Sequence, residues 1–331
     1  MTGTARASYL LPIKAGSDRS GGELTNYLRD LSLTMEVIVV DASSDGVFSA
    51  HRGAWGGFVT HIPVAPDVSC LNGKVAGVLT GLGVVSSGKV VIADDDVRYG
   101  GPALARTIEL LDRFDLVRPQ NYFSPLPWHA RWDSARSLLN RSFGADYPGT
   151  LAVRTEILRR TDGYDGDVLF ENLELIRTVE SAGGRLGAPL DLYVRRLPPD
   201  TGHFLSQRVR QAYDEFALPG RLIAFLSVVP LTIAALARRR LGALVAAELS
   251  LVALAERGRR RAGGRLYFPP STSWFAPAWV LERGICMWLA LGRRILMGGV
   301  PYGAGVIRRA ASSRRRLRQR FSGVPADRSA P

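Results

Sequence analysis

The sequence predicts an α/β fold, a mostly parallel sheet flanked by helices, followed by a helical region that associates with membrane. Three observations predict it. Short apolar β-type runs alternate with helical segments through the first two thirds of the chain. Charge is split by position: residues 1–217 hold 23 basic and 26 acidic residues, whereas residues 218–331 hold 20 and 4. Long uncharged runs stand beside arginine clusters in that second part. The expected organisation is an α/β domain over 1–217, a hydrophobic helical region over 218–300 and a basic, disordered tail over 301–331.

In order along the chain, Tyr9–Ile13 reads as a strand and Glu23–Leu31 as a helix. The β-branched run Glu36–Val40 reads as a strand buried on both faces, as in parallel sheets. Val75–Val85 is a helix carrying glycines suited to close packing, Lys89–Ala93 a second buried strand, and Pro102–Phe114 an amphipathic helix. Segment 119–147 carries Trp128, Trp132, Phe123 and Tyr147 among arginines, a pattern suited to a surface of stacking aromatics and at least as well to core packing.

Composition excludes several classes. With 46% apolar and 22% charged residues the chain is too hydrophobic to be disordered. Cys70 and Cys286 lie far apart, so neither a disulfide framework nor a zinc ribbon is expected. The N-terminal segment has no apolar run of signal-peptide length, which places the first domain in the cytoplasm as an expectation.

In a parallel sheet, ligands bind beyond the carboxyl ends of the strands. Two predicted strands end there in acids: Asp41-Ala42-Ser43-Ser44-Asp45-Gly46 and Asp94-Asp95-Asp96. Adjacent carboxylates repel one another, and a divalent cation bound to phosphate is the simplest compensation; oxygen donors suit Mg²⁺ or Mn²⁺. GxGxxG after the first strand and GxxxxGK[ST] are both missing, so phosphate recognition by a glycine loop is not expected.

The order of these segments resembles the family 2 glycosyltransferases, inverting enzymes of the GT-A fold, and in particular their membrane-associated bacterial members. The residues carrying the resemblance are Leu11-Pro12-Ile13, Val39–Gly46, Asn72-Gly73-Lys74, Asp94-Asp95-Asp96, Gly149–Arg154, Gly163-Tyr164-Asp165, Phe170–Leu175 and Gln207–Arg210, all within about residues 8–217. The resemblance implies nucleotide-sugar contacts from Pro12, Asp41, Lys74, Asp94 and Asp95, and metal ligation by Asp94 and Asp96, with His203 completing the shell. It further implies that Gln207 and Arg210 serve the diphosphate or acceptor side. The chain departs from the family at Asn172, where the usual base is an aspartate. An amide cannot accept a proton at neutral pH, so Glu171 or Glu174, three residues apart on one helix, is expected to be the catalytic base. A second departure is Gln211 in place of a tryptophan.

Leu222–Ala237 is uncharged, Arg238-Arg239-Arg240 follows, and Leu241–Ala255 is interrupted by Glu248 alone. The triple arginine argues against simple spanning and for a re-entrant or interfacial hairpin, with two short, tilted crossings and a soluble helical packing subdomain as the alternatives. Trp274–Leu296 mixes tryptophans with arginines, an interfacial pattern, and the arginine-rich tail suits anionic lipid. Nucleic acid is the weaker partner, because its readers do not need long uncharged runs.

The expected function is metal-dependent inverting transfer of a sugar from a nucleoside diphosphate to a lipid-linked or glycan acceptor hydroxyl. The expected location is the cytoplasmic face of the cell membrane, where anionic lipid is a further partner. The alternative is an inactive sugar-nucleotide-binding scaffold, with a nucleotidyltransferase the third reading.

Overall fold

The computed structural model describes residues 7–19, 21–302 and 305–322. The first half runs β1 (Ser8–Ile13), α1 (Glu23–Ser32), β2 (Glu36–Asp41), α2 (Asp45–Trp55), β3 (Thr60–Pro63), α3 (Gly73–Leu82), β4 (Lys89–Ala93), β5 (Val97–Arg98), α4 (Gly101–Leu110), β6 (Leu116–Val117), β7 (Gln120–Phe123) and α5 (Trp128–Phe143). It continues with β8 (Thr150–Arg154), α6 (Thr155–Arg160), α7 (Glu171–Ser181), β9 (Leu186–Gly187), β10 (Tyr193–Arg196), α8 (Thr201–Ser206) and α9 (Arg208–Tyr213). The C-terminal part holds α10 (Pro219–Ala237), α11 (Leu241–Arg260), α12 (Ala276–Met297), the hairpin β11 (Val300–Tyr302) and β12 (Gly305–Ile307), and α13 (Arg314–Phe321).

Among the described residues, seven strands form the main sheet in the order β3-β2-β1-β4-β8-β6-β9. It is parallel except for β8, which runs against both of its neighbours. The apolar runs explain its position. Val37 and Val39 of β2 enter the core on one face, Ile38 and Val40 the core on the other, and each is essentially inaccessible to water. Helix α3 lies close on the second face because Gly77 leaves room: a Cβ there would stand 2.7 Å from the Cβ of Pro12. A smaller sheet, β5-β10-β7, stands beyond β4 and pairs Arg196 with Val97 and Phe123.

The helical region packs against the α/β domain. The second half of α11 is docked on α5, where a side chain at Gly258 would collide with the backbone carbonyl of Leu138. Helix α12 buries Trp279, Arg283, Cys286, Met287 and Ala290, while its Leu281, Ile285, Trp288 and Leu289 stay exposed. Helix α10 contributes no buried residue at all.

The expected disordered tail is corrected over its described part. The N–H groups of Leu169 and Phe170 donate to the carbonyls of Arg309 and Ala310 at 3.0 and 2.8 Å. Helix α13, capped by the Ser313 hydroxyl on the N–H of Arg316 at 3.2 Å, drives Leu317 and Phe321 into the sheet's second core. The arginines hid this from composition, because two apolar residues four apart suffice to dock one helical face. Residues 323–331 of the expected tail lie outside the described residues.

Candidate active site

Asp94 closes β4. Its N–H donates to the carbonyl of Gly149 at 3.0 Å, which fixes it at the sheet's carboxyl edge. From there a chain of charges crosses the molecule. Lys74 Nζ lies 2.5 Å from Asp94 Oδ1 and 2.9 Å from Glu171 Oε1. On the other side Arg196 Nη2 is 3.4 Å from Asp94 Oδ2 and 2.6 Å from Asp96 Oδ2, and Arg196 Nε donates to both Asp96 oxygens at 3.0 and 3.1 Å.

Local structure explains each position. Lys74 stands in the first turn of α3, whose N-cap Asn72 accepts from the Lys74 N–H at 3.1 Å. Glu171 opens α7, where the helix dipole favours an acid. Gly149 is glycine of necessity: a Cβ would stand 2.6 Å from Asp94 Oδ2 and 2.8 Å from Arg196 Cζ.

The electrostatics follow from this packing. Burial disfavours the Lys74 ammonium, but Asp94 and Glu171 outweigh that and hold its pKa above the ordinary value. Burial raises Asp96, the charge of Asp94 adds to the rise, and Arg196 opposes both. Three carboxylates against two cations leave one negative charge in the chain Glu171–Lys74–Asp94–Arg196–Asp96.

Four members of this chain, Glu171, Lys74, Asp94 and Arg196, line a cleft of roughly 360 Å³; Asp96 is not among its lining residues. The cleft is also lined by His203 from α8, Gln207 between α8 and α9, Arg210 from α9, Asp214 from the turn that follows, and Arg283 from α12. Arg210 Nη1 donates to Gln207 Oε1 at 2.9 Å and its guanidinium lies 4.9 Å from the centre of the Tyr302 ring. Burial, reinforced by the charge of Glu171, pushes the Asp214 carboxyl up to about 8, against the pull of Arg210 and Arg283.

The structure thus brings together Lys74, Asp94, Glu171, His203, Gln207 and Arg210 of the residues expected from sequence. It separates the others. Pro12 packs beneath α3. Asp95 pairs at 3.3 Å with the exposed Arg19. Asp41 has no exposed side-chain surface: it receives His51 Nδ1 at 2.7 Å, His61 Nε2 at 3.1 Å and the Ser43 N–H at 2.9 Å. Burial works against the Asp41 carboxylate, yet these hydrogen bonds win and keep its pKa below the usual range. Its expected contact with the nucleotide is therefore not open to the carboxylate as it stands.

Glu174 is corrected as a candidate base. It is fully buried away from the cleft and accepts the Ser312 N–H at 2.6 Å, pinning the returning C-terminal segment. Glu174→Ala is expected to cost about 1–3 kcal/mol of stability, the penalty of an orphaned buried donor, while donor binding changes less than about twofold. Thermal melting beside a binding isotherm checks this; weakened binding at an unchanged melting temperature would return Glu174 to the site. Asn172 is no base either, its amide donating to the Pro148 carbonyl at 3.0 Å.

Sequence reasoning missed Arg196, Asp214 and Arg283. Arg196 carries no motif, and its role depends on β10 pairing beside β5. Asp214 lies four residues after Arg210, a one-turn spacing that could have flagged it. Because its folded pKa exceeds the unfolded one, near 3.9, the folded state holds the extra proton. Asp214 therefore contributes stability that is complete below about pH 4 and is lost as pH rises toward about 8. Asp214→Asn should flatten the decline in melting temperature between pH 5.5 and 8; an unchanged slope would count against this assignment.

For a divalent cation, the fit rests on Asp94 and Asp96. Mg²⁺ and Mn²⁺ prefer oxygen donors and commonly take one or two protein carboxylates beside substrate phosphates. The two acids meet that need once Arg196, which spans them, yields. The expected three-residue shell with His203 is not assembled. Among the described residues, the side chains that converge as a possible three-donor set are Asp41, His51 and His61. There His51 Nε2 accepts the Arg19 N–H at 2.9 Å, so Nδ1 carries the hydrogen and donates to Asp41. Within that cluster His51 has both ring nitrogens hydrogen-bonded, whereas the buried Nδ1 of His61 has no hydrogen-bond partner.

No family model and no curated protein matches the chain. Solved structures do. The mannosyltransferase PcManGT from Pyrobaculum calidifontis, determined with GDP-Man and Mn²⁺, is 19% identical with a TM-score of 0.57, covering 87% of this chain and 88% of that one. TarS 1–349 from S. aureus, determined with UDP-GlcNAc, is 14% identical with a TM-score of 0.42, over 60% of each chain. Mannosyl-3-phosphoglycerate synthase from Rubrobacter xylanophilus is 16% identical with a TM-score of 0.41, over 61% of this chain and 69% of that one. The likeness to PcManGT shows the fold, GT-A, and its coverage reaches past residue 217 into the C-terminal helices.

Proposed function

We propose that this chain is an inverting glycosyltransferase that moves a sugar from a nucleoside diphosphate to an acceptor at a membrane surface. The observation that carries the reading is the cleft itself. Asp94, just past a strand at the carboxyl edge of a GT-A sheet, lines it together with Glu171, Gln207 and Arg210, and Arg196 ties Asp94 to Asp96.

Asp94 and Asp96 would hold Mg²⁺ or Mn²⁺, which supplies neutralisation of the charge developing on the leaving diphosphate. Lys74 orients Asp94 and Glu171 by bonding both. Arg210 presents its guanidinium to the anionic ligand, with Gln207 fixing its direction. With Glu174 sealed and Asn172 an amide, Glu171 is the carboxylate of that helix that lines the cleft and can take a proton from a hydroxyl acceptor.

Calorimetric binding of a panel of sugar nucleotides with and without Mn²⁺ tests the reading. One donor should bind, and binding should require metal and both aspartates; indifference to metal and to Asp94→Asn would remove the assignment. Binding without turnover on any acceptor would favour the scaffold alternative.

The membrane side rests on α10 to α12. Helix α10, 19 residues of mean hydropathy 1.9, is long and apolar enough to cross a membrane by length and composition. Leu231, Ile233, Leu236, Leu241 and Val245 are exposed on either side of the Arg238–Arg240 turn. Arginines at the tip of a hairpin suit the headgroup layer better than the hydrocarbon, so the hairpin is read as lying in the interface on the cytoplasmic side. The chain is expected to co-sediment with anionic vesicles and to stay bound in 0.5 M salt, where surface charge is screened. Leu231→Asp with Leu236→Asp should weaken binding at least about tenfold. Complete release by salt would refute insertion.

A further inference from the structure

The smaller sheet divides its side chains between two faces. Successive residues of a strand point to opposite sides, and the register puts Val97, Arg196 and Phe123 in one row and Arg98, Arg195 and Tyr122 in the next. The first row serves the active site, where Arg196 holds Asp94 and Asp96 at 3.4 and 2.6 Å. All three residues of the second row line a separate cavity of roughly 690 Å³. Among the described residues, its lining and that of the cleft have no member in common. The volume falls within the ordinary range of small-ligand sites, about 300–1,000 Å³, and the transfer chemistry makes no use of it.

The lining combines aromatic faces with matched charges. The Tyr193 and Tyr267 rings stack with centres 4.0 Å apart, and Tyr122 leans on Tyr267 at 4.7 Å, so three rings form one continuous platform. Glu23 sits between Arg98 and Arg195, at 3.7 and 3.2 Å from their nitrogens, and Arg106 meets Asp191 at 2.8 Å. Arg98 is fixed in place, its Nη1 donating to the carbonyls of Asp95 and Val97 at 2.7 and 2.8 Å. With Asp30, the described lining sets three carboxylates against three guanidinium groups. A phosphate or a basic peptide finds no net charge there to draw it in. A sugar ring finds both of the contacts it uses. Its C–H faces pack on aromatic rings, and its hydroxyls, each both donor and acceptor, bond carboxylates and guanidinium groups alike.

We propose that this cavity is a second carbohydrate site, which holds a neutral oligosaccharide and does no chemistry on it. The site is independent of the glycosyl-transfer reading, because the two linings share no residue and Arg195 and Arg196 point to opposite faces of one strand. A bound sugar nucleotide leaves it free. Tyr122 and Tyr267 keep part of their surface in water, so the platform is open to a ligand as the protein stands. A glycan held there would keep the protein on a glycan-bearing surface between turnovers, since a second attachment point raises the effective concentration at the first.

Calorimetry on the full chain tests this with linear glucan, mannan and galactan oligosaccharides of several lengths, first without nucleotide. Saturable one-to-one binding is expected for at least one series. Its dissociation constant should change less than about twofold between about 0.05 and 0.5 M salt, because screening acts on charged ligands and this one has no charge. Tyr267→Ala should raise it at least about tenfold by removing a stacking face. Arg106→Gln, on the exposed rim, should raise it at least about threefold and serves if melting shows the first variant unfolded. Neither residue lines the cleft, so both variants should bind the sugar nucleotide within about twofold of the native chain. Saturating sugar nucleotide with Mn²⁺ should likewise leave the oligosaccharide bound. No saturable binding by any series at about 10 mM, where even a millimolar site would fill, would overturn the proposal. So would displacement by the sugar nucleotide, an unchanged affinity in every folded variant, or loss of most of the affinity to salt. Failure of every sugar nucleotide to bind would sink the glycosyl-transfer reading alone, and the Tyr267 and Arg106 variants would still decide this one.

Discussion

Asp94→Asn is expected to lower sugar transfer at least about 100-fold, because substitutions merely adjoining metal ligands already cost 10–100-fold. The amide keeps the shape of the side chain and removes its charge. The fold should tolerate the change. Lys74 retains Glu171 at 2.9 Å and Arg196 retains Asp96 at 2.6 Å, so neither cation is stranded. Melting should therefore shift by no more than about 1 kcal/mol equivalent, the scale of one net hydrogen bond. Metal-dependent donor binding should be the property that disappears. The pair of measurements separates loss of function from loss of structure; transfer at native rate in the Asn variant would remove Asp94 from the chemistry.

Arg196→Met carries the largest expected effect on stability. It leaves Asp94 and Asp96 facing each other with Lys74 as the nearest remaining cation. Breaking a fully buried pair costs about 3–5 kcal/mol; here the Arg196 and Asp96 side chains are 22% and 26% exposed, so about 1–3 kcal/mol is expected after solvent screening. The sign of the pH effect follows. Asp96 is already raised by burial and by Asp94, and without Arg196 it rises further. Its folded pKa then lies well above the unfolded one, so the variant loses stability as pH climbs from about 4 toward neutrality and regains it on acidification. Because Arg196 spans the two acids, its removal should also strengthen Mn²⁺ binding in the absence of nucleotide. Saturation at 100 times the dissociation constant adds about 2.7 kcal/mol, enough to offset most of the deficit. Melting curves with and without Mn²⁺ check this; an equal rise in the native chain and the variant would show that Arg196 does not compete for the metal's place.

The legible part of the site is the part encoded locally. Asp94 and Asp96 follow an apolar strand, Lys74 follows a capping Asn72, and Gln207 and Arg210 sit one turn apart; each was readable because its neighbours in sequence determine its position. The predicted strand Lys89–Ala93 matches β4 residue for residue. Asp214 was readable only through its one-turn spacing from Arg210; Arg196 and Arg283 were not, because their place depends on elements far apart in the chain, Arg196 meeting Asp96 across 100 residues. The tail was misread for the same reason: its arginines dominate its composition, while Leu317 and Phe321 determine where it goes.

Glu171 and Glu174 show where the division lies. The sheet, the strand-end acids and a helix beginning with two glutamates on one face follow from the sequence alone, since hydrophobic period and capping are local properties. Tertiary packing settles that Glu171 bonds Lys74 at the cleft and that Glu174 accepts the buried Ser312 N–H. The reason is desolvation. A carboxylate leaving water must find a donor, and which donor waits is decided by segments nearly 100 residues upstream for Glu171 and nearly 140 downstream for Glu174.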